Sequence, residues 1–466
     1  MVKSPKSLHL RFAEDSITHF GGMVLIQRFC RRLGLRRAIQ RKLRGYQRTS
    51  DYDPATLIMT ILYAVIMGLR RISKTEILQY NGTLQRLLGL RRFPDQSTLR
   101  RFLRRLGPSQ IRRLAVLHDE LRQQLFACDR PRTSLVLDLD SVVLVIYGHP
   151  QGAQFGYNPK NPGHRSYRPL LAFETRRQEF WHGSLRPGDR GDPVGTVPFL
   201  TRCLDKVPPA LSRSRIRLRA DAGFCSKRIV EFLDEQRVGY AIAARLYRPV
   251  KVRSCSCQFQ VLKNGWETGT FDYQPFRWLK PHRFVVLRRP VPTDPDEVRQ
   301  LTLFQDRKYA YHVLVSNLHL KPWRIWHFYA QHALIEKNIR ELLYDYPLGQ
   351  IPTQDWIANV AFFQLVLLAY DIVHWFKRLC LPKEYLAATL DTVRTAFLAI
   401  PARLAKQGSR NMLSLPKDYL YRKQFAVAFR KLDKTAWQET SESASHPRVG
   451  TTHLRRFSAV RGRIRA

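Results

Sequence analysis

Acid is what this chain has least of for its size. Among 466 residues there are 37 Asp plus Glu against 79 Lys plus Arg, a formal net charge of +42. Self-repulsion of that size suits a polyanionic partner and speaks against an ordinary metabolic enzyme or an acidic-protein partner. Cysteine is sparse too. The seven, at 30, 128, 203, 225, 255, 257 and 380, are odd in number, and their one close pair, Cys255 and Cys257, is too tight for CxxC zinc spacing. That excludes a disulfide framework or zinc finger and suits a reducing cytoplasm. The first sixteen residues contain no apolar core of a signal peptide. No long run is free of polar residues either. The most apolar, Trp356 to Phe376, contains Asn359, Gln364, Asp371 and His374, so a buried helix is expected rather than a membrane span.

What is present begins with a basic helical region, 1–130. Its first fifty residues hold twelve Lys or Arg against Glu14 and Asp15. Residues 25–43 set Leu25, Phe29, Leu33 and Ile39 near one stripe, and 54–69 is apolar on most sides behind an Asp53-Pro54 start. Residues 93–107 offer Asp95 or Ser97 as a cap and Leu99, Phe102, Leu103 and Leu106 as an inner face. Arg100, Arg101, Arg104 and Arg105 then face outward. Such a helix suits DNA recognition or, equally, a solvated bundle face.

At 134 the period shifts to strands. Expected elements are strand 134–147, strands 168–175 and 179–186, helix 194–207, strand 215–223, helix 226–236 and strand 238–245. An aromatic, proline- and arginine-rich insertion with short strands follows, then strand 309–317 and one long helix from about 322 to 344. This order predicts an α/β fold: an RNase H-like mixed sheet with flanking helices, interrupted by a β-rich insertion, after an N-terminal all-α DNA-binding region. The expected divisions are 1–130, a catalytic core in two parts (131–246 and 309–380) around the insertion 247–308, a helical region 381–438, and a basic flexible tail 439–466.

In a chain poor in acids, acids inside apolar strands are informative. Asp138 and Asp140 lie two apart on one strand and so share a face. Asp221 ends strand 215–223, where open α/β sheets place ligands, and Ala222-Gly223 leaves room beside it. Glu336 is centred on a stripe of Tyr329, His332, Arg340 and Leu343. Three carboxylates from separate elements suit two hard divalent cations, which would activate a nucleophile and stabilise a leaving oxygen in phosphoryl transfer. Each acid alone could instead pair with an arginine.

The blocks LDLDSVVLVIYGHPQGAQFGYNPKNPGHRSYRPLLAFET, RADAGFCSKRIVEFLDEQRVGYAIAAR and YHVLVSNL…HFYAQHALIEKNIRELLYDYPLGQIPTQDWIANVAFFQLVLLAYDIV occur in order over roughly 50–380. They resemble the DDE transposases of bacterial insertion sequences, above all the insertion sequence thirteen-eighty group. The resemblance implies Asp140, Asp221 and Glu336 as the catalytic, metal-binding acids, with Asp138 as runner-up for the first. It also implies Mg²⁺, two ions, or Mn²⁺ in its place. Against the Tyr-x-x-Arg-x-x-x-Glu-x-x-x-x-x-x-Lys signature, Tyr329 and Glu336 fit, while His332 replaces Arg and Leu343 replaces Lys. Lys337 and Arg340 become substitute phosphate contacts.

Further DNA contacts are expected from Asn158 and Arg165 in a loop that could equally be a plain hairpin turn. Trp278 sits among cations as a base-stacking candidate, whereas Trp266 and the pair Trp323 and Trp326 read as packing. The resulting expectation is a cytoplasmic, nucleoid-associated transposase, without a membrane partner, that binds terminal inverted repeats as a homodimer and performs cut-and-paste strand cleavage and transfer. The rivals are a two-metal nuclease of the same fold and an inactive DNA-binding descendant.

Overall fold

Leu135–Ser141 (β1) alternates aliphatic side chains with Asp138 and Asp140, and the two sets part to opposite faces of a large mixed sheet. The computed structural model describes residues 16–46, 51–127, 133–262, 265–290, 304–305, 309–408 and 410–434. The expected tail 439–466 and Cys128 lie outside the described residues.

The other strands are β2 (Leu170–Glu174), β3 (Glu179–Ser184), β4 (Ile216–Ala220), β5 (Gly239–Ala243), β6 (Phe259–Val261), β7 (Glu267–Tyr273), β8 (His282–Pro290) and β9 (Tyr309–Ser316). Their spatial order is β6-β7-β8-β9-β5-β4-β1-β2-β3, with the short piece Phe304–Gln305 also on β9. The β1–β4 and β4–β5 pairs are parallel, and every other pair is antiparallel. The insertion therefore widens the sheet at one edge through β6, β7 and β8.

Before the sheet come α1 (Met23–Arg32), α2 (Leu35–Lys42), α3 (Pro54–Ile66), α4 (Gly82–Leu88), α5 (Gln96–Arg105) and α6 (Pro108–Ala127). The stripe expected over 25–43 is split in two, because Gly34 takes φ +68°, the left-handed region that ends α1 and starts α2. Asp53 and Asp95 cap α3 and α5 by accepting from Thr56 N (2.9 Å) and Thr98 N (2.8 Å). One strand enters this helical region: Ile17–Thr18 pairs with Ala402–Arg403 near the other end of the chain.

Helices α7 (Thr196–Asp205) and α8 (Lys227–Glu235) cover the sheet face that carries Leu135, Leu137 and Leu139. Between β5 and β6 lies α9 (Arg248–Ser256). The opposite face, with Val136, Ala241 and Ala243, meets Ile325 and Phe328 of α10 (Pro322–Ala330). The single helix expected over 322–344 is instead two, α10 and α11 (Ala333–Tyr344). A turn at Gln331-His332 separates them, closed by His332 N donating to Tyr329 O at 2.7 Å. Over β2 and β3 lies α12 (Trp356–Cys380). It is long and apolar enough to cross a membrane, but it packs against α3, α5, α6 and β3, buried on nearly every side. Its residues belong to one hydrophobic cluster that runs from Met23 to Leu432.

Candidate active site

The β1–β4 register determines the fate of each acid. Asp138 pairs with Arg219 and Leu139 with Ala220, so Asp140 and Asp221 are the next residues out, where the strands end. Asp138 is 0% exposed. Its oxygens accept from Arg219 Nε and Nη2, both at 2.6 Å, from the Thr175 hydroxyl and from His332 Nδ1 at 2.9 Å. Arg219 also donates to Phe328 O at 2.7 Å. That carboxylate is fully engaged inside the protein, each of its oxygens accepting from two donors.

Asp140 meets different surroundings. It is half-buried and accepts from its neighbour's amide, Ser141 N, at 2.6 Å. Burial pushes its carboxyl up to about 7, and the Asp221 and Asp192 charges add to this, while His332 and the Ser141 amide pull it down. Asp221, also half-buried, caps the turn Ala222–Phe224 by accepting from Gly223 N at 3.0 Å. Its carboxyl is raised as well, by burial first and then by Asp192, against the pull of His332 and Arg168.

Sequence reasoning missed Asp192 and Arg168. Asp192 Oδ1 accepts from Ser141 Oγ at 2.6 Å and Oδ2 from Arg168 Nη2 at 2.8 Å. A Cβ at Gly223 would stand 2.3 Å from Asp192 Oδ2, so only glycine lets this loop close beside Asp221. The remaining signal in the sequence was the scarcity of acid itself: Asp192 stands among glycine and proline, in Gly191-Asp192-Pro193, where no periodicity marks it.

Tyr329 is half-buried facing the same crevice, and its hydroxyl is pushed up by burial and then by Asp221, Asp140, Asp138 and Glu336. His332, aimed at Asp138, draws the carboxyls of both acids down. Glu336 shares Tyr329 with the pair, its charge acting on that hydroxyl beside those of Asp140 and Asp221. It is exposed on the first turn of α11 and is not among the main influences on Asp140 or Asp221. The stripe that would have aimed it inward is broken at Gln331-His332. Lys337 and Arg340 are exposed on the same helix. Among the described residues no three His, Cys, Asp or Glu side chains close on a common metal position. The donor chemistry nevertheless fits a hard cation at two ligands: two carboxylates at neighbouring strand ends, both raised first by burial, offer the oxygen atoms such an ion takes.

Other expected DNA contacts have local partners. Asn158 Oδ1 accepts from Asn161 N at 3.2 Å within its loop, and Arg165 donates to Ala153 O at 3.2 Å and stacks 4.7 Å over Phe155. Trp278 packs edge-on to His282 at 4.9 Å and against the core that includes α8. On α5, Arg100 lines a groove of about 500 Å³ with Arg70, Arg71 and Tyr147. Arg101 lines another of about 630 Å³ with Arg92 and Arg105, and Arg104 pairs with Asp355 at 2.8 Å.

The family model described as transposase DDE domain group 1 matches residues 1–437. The chain belongs to that family. Among solved structures, a piggyBac transposase synaptic complex with hairpin DNA is 12% identical, with TM-score 0.40, over 88% of this chain and 92% of that one. A Mos1 transposase paired-end complex with the left transposon end is 11% identical, with TM-score 0.18, over 42% of this chain and 59% of that one. A pre-cleavage Mos1 transpososome is 12% identical, with TM-score 0.16, over 42% and 60%. No curated protein matches the chain.

Proposed function

We propose that this family member is a DNA transposase that cuts and rejoins strands at the crevice of Asp140 and Asp221. The carrying observation is that pair: two carboxylates at adjacent strand ends, both raised, with no guanidinium paired directly to either among the described residues. Divalent cations held by Asp140 and Asp221 would supply the positive charge that polarises a phosphodiester and lowers the pKa of an attacking hydroxyl or water. Tyr329 walls the crevice, and His332, anchored on Asp138, draws both acids' carboxyls down. Glu336, exposed on the first turn of α11 and acting on the same Tyr329 hydroxyl, is the third acid of this reading. The basic α5 face and its two arginine-lined grooves support binding of the terminal inverted repeats by the N-terminal helices. Two ends brought together imply a homodimer on DNA.

The test is cleavage and joining of an end-containing duplex with Mg²⁺ or Mn²⁺ by wild type, Asp221→Ala and Glu336→Ala. The proposal requires strand-transfer products from wild type and neither cutting nor joining from the variants. Cutting without joined product indicates a nuclease, and full activity in Asp221→Ala defeats the site.

A further inference from the structure

A pair of carboxylates that gathers cations also repels a phosphodiester, so a strand held there needs a fixed cation beside them. Three guanidinium groups border the crevice. Arg219 is spent beneath it on Asp138 and Phe328 O. Arg245 donates to the carbonyls of Ala222 and Gly223 at 3.2 and 3.0 Å, and its charge is not among the main influences on Asp140 or Asp221. Arg168 is different: its charge is among those that draw the Asp221 carboxyl down.

Arg168 is also held. Its amide donates to Arg186 O at 2.9 Å, and Arg186 Nε donates back to Arg168 O at 3.0 Å, which fixes the backbone entering β2. Its Nη2 donates to Asp192 Oδ2 at 2.8 Å and its Nε to Ser141 Oγ at 3.3 Å. Ser141 in turn donates to Asp192 Oδ1 at 2.6 Å. The three side chains form a closed ring whose members touch both catalytic segments, Ser141 following Asp140 in the chain and Asp192 lying against Gly223. The Arg168 side chain is 12% exposed, and among the described residues its Nη1 takes no hydrogen-bond partner. A rigid guanidinium with one free edge is the geometry that grips a phosphate. The exposed cations on α11, Lys337 and Arg340, have no such support.

We propose that Arg168 is the residue that meets the scissile phosphate at the acid pair, with Asp192 and Ser141 as the positioning residues that hold it there. This rests on the crevice being where DNA is cut. The experiment uses the full chain and two end duplexes, one with the ordinary phosphodiester at the cleavage position and one with an uncharged methylphosphonate there. Binding is measured with Ca²⁺ and cleavage with Mg²⁺. Losing one charge-assisted contact is expected to weaken Arg168→Met on the charged duplex about tenfold while its affinity for the methylphosphonate duplex changes less than about twofold. Cleavage should fall by about 10²–10³-fold. Arg168→Lys, which retains the charge but not the fork, should lie between, and it carries the same comparison if Arg168→Met does not fold. Asp192→Asn should reduce the discrimination between the duplexes in part. Equal weakening on both duplexes, or wild-type cleavage by Arg168→Met while Asp221→Ala is inert, overturns the assignment. Wild-type cleavage by Asp221→Ala overturns the site beneath it instead.

Discussion

Asp371, buried, and Asp140, half-buried, are both carboxylates pushed up by burial, yet they sit in clusters built on opposite rules. Asp371, on α12, is enclosed. It accepts from Phe180 N at 2.8 Å and from His118 Nε2 at 2.7 Å, with Arg122 at 3.7 Å. Its neighbour Glu179 takes Trp375 Nε1 at 2.8 Å and lies 3.9 Å from Arg378. Every acid there has a fixed donor, and the network ties α6, β3 and α12 together. Around Asp140 the proportion reverses: Asp140, Asp221 and Asp192 share Arg168 and His332, and the strand ends leave them facing a crevice. A raised carboxyl alone therefore does not mark a functional acid. What marks it is a shortage of fixed positive charge at a place a mobile cation can reach.

The contrast can be broken first by mutation on β1 itself. Asp140→Ala should lower strand cleavage by about 10³-fold or more, the scale of losing a group that stabilises transition-state charge, without lowering the melting temperature. A destabilised but active Asp140→Ala would reverse the two roles. Next in size, Asp138→Ala strands Arg219 in the interior and should cost about 3–5 kcal/mol in urea unfolding. A loss under about 1 kcal/mol at Asp138 would mean that the ring of Arg219, Thr175 and His332 does not need it.

The pH dependence sharpens the comparison further. A carboxyl near the ordinary value of about 3.9 when unfolded and about 7 when folded stabilises the fold below the lower value, and that contribution is lost as pH rises through the upper one. A divalent cation competes with the same proton. Its affinity, read by calorimetry with Mn²⁺, should therefore increase with pH up to about 7, by about tenfold per unit, and level off above. Asp192→Asn removes a like charge and should move that midpoint to lower pH; an unmoved midpoint would separate Asp192 from the pair. The smallest effect belongs to the surface. Arg104→Ala breaks an exposed pair with Asp355 and should change stability by less than about 1 kcal/mol.

Much of the sheet was legible because aliphatic strands and capped helices alternate at short spacing. β2, β4, α7, α8 and β9 fall within the expected segments. The acids Asp140 and Asp221 were legible as carboxylates in apolar strands of a chain with few of them. Three things were not. Choosing between Asp138 and Asp140 requires the β1–β4 register, which brings Arg219 opposite one and Asp221 opposite the other. The helix break at Gln331-His332 has no glycine or proline to announce it, and it coincides with the His332 ring meeting Asp138 on a strand almost two hundred residues earlier. Asp192 and Arg168 lie in a loop and at a strand entrance, where local pattern says nothing about which distant side chain will be met.

The joint packing of α1, α3, α5 and α6 with α12 and the chain's later helices has a mechanical consequence. A recognition surface on those helices would be no swinging arm but part of the same solid as the proposed cutting crevice. The interval between a docked base pair and the severed bond would then be set as on a ruler, and altering it would mean rebuilding the interior rather than lengthening a tether.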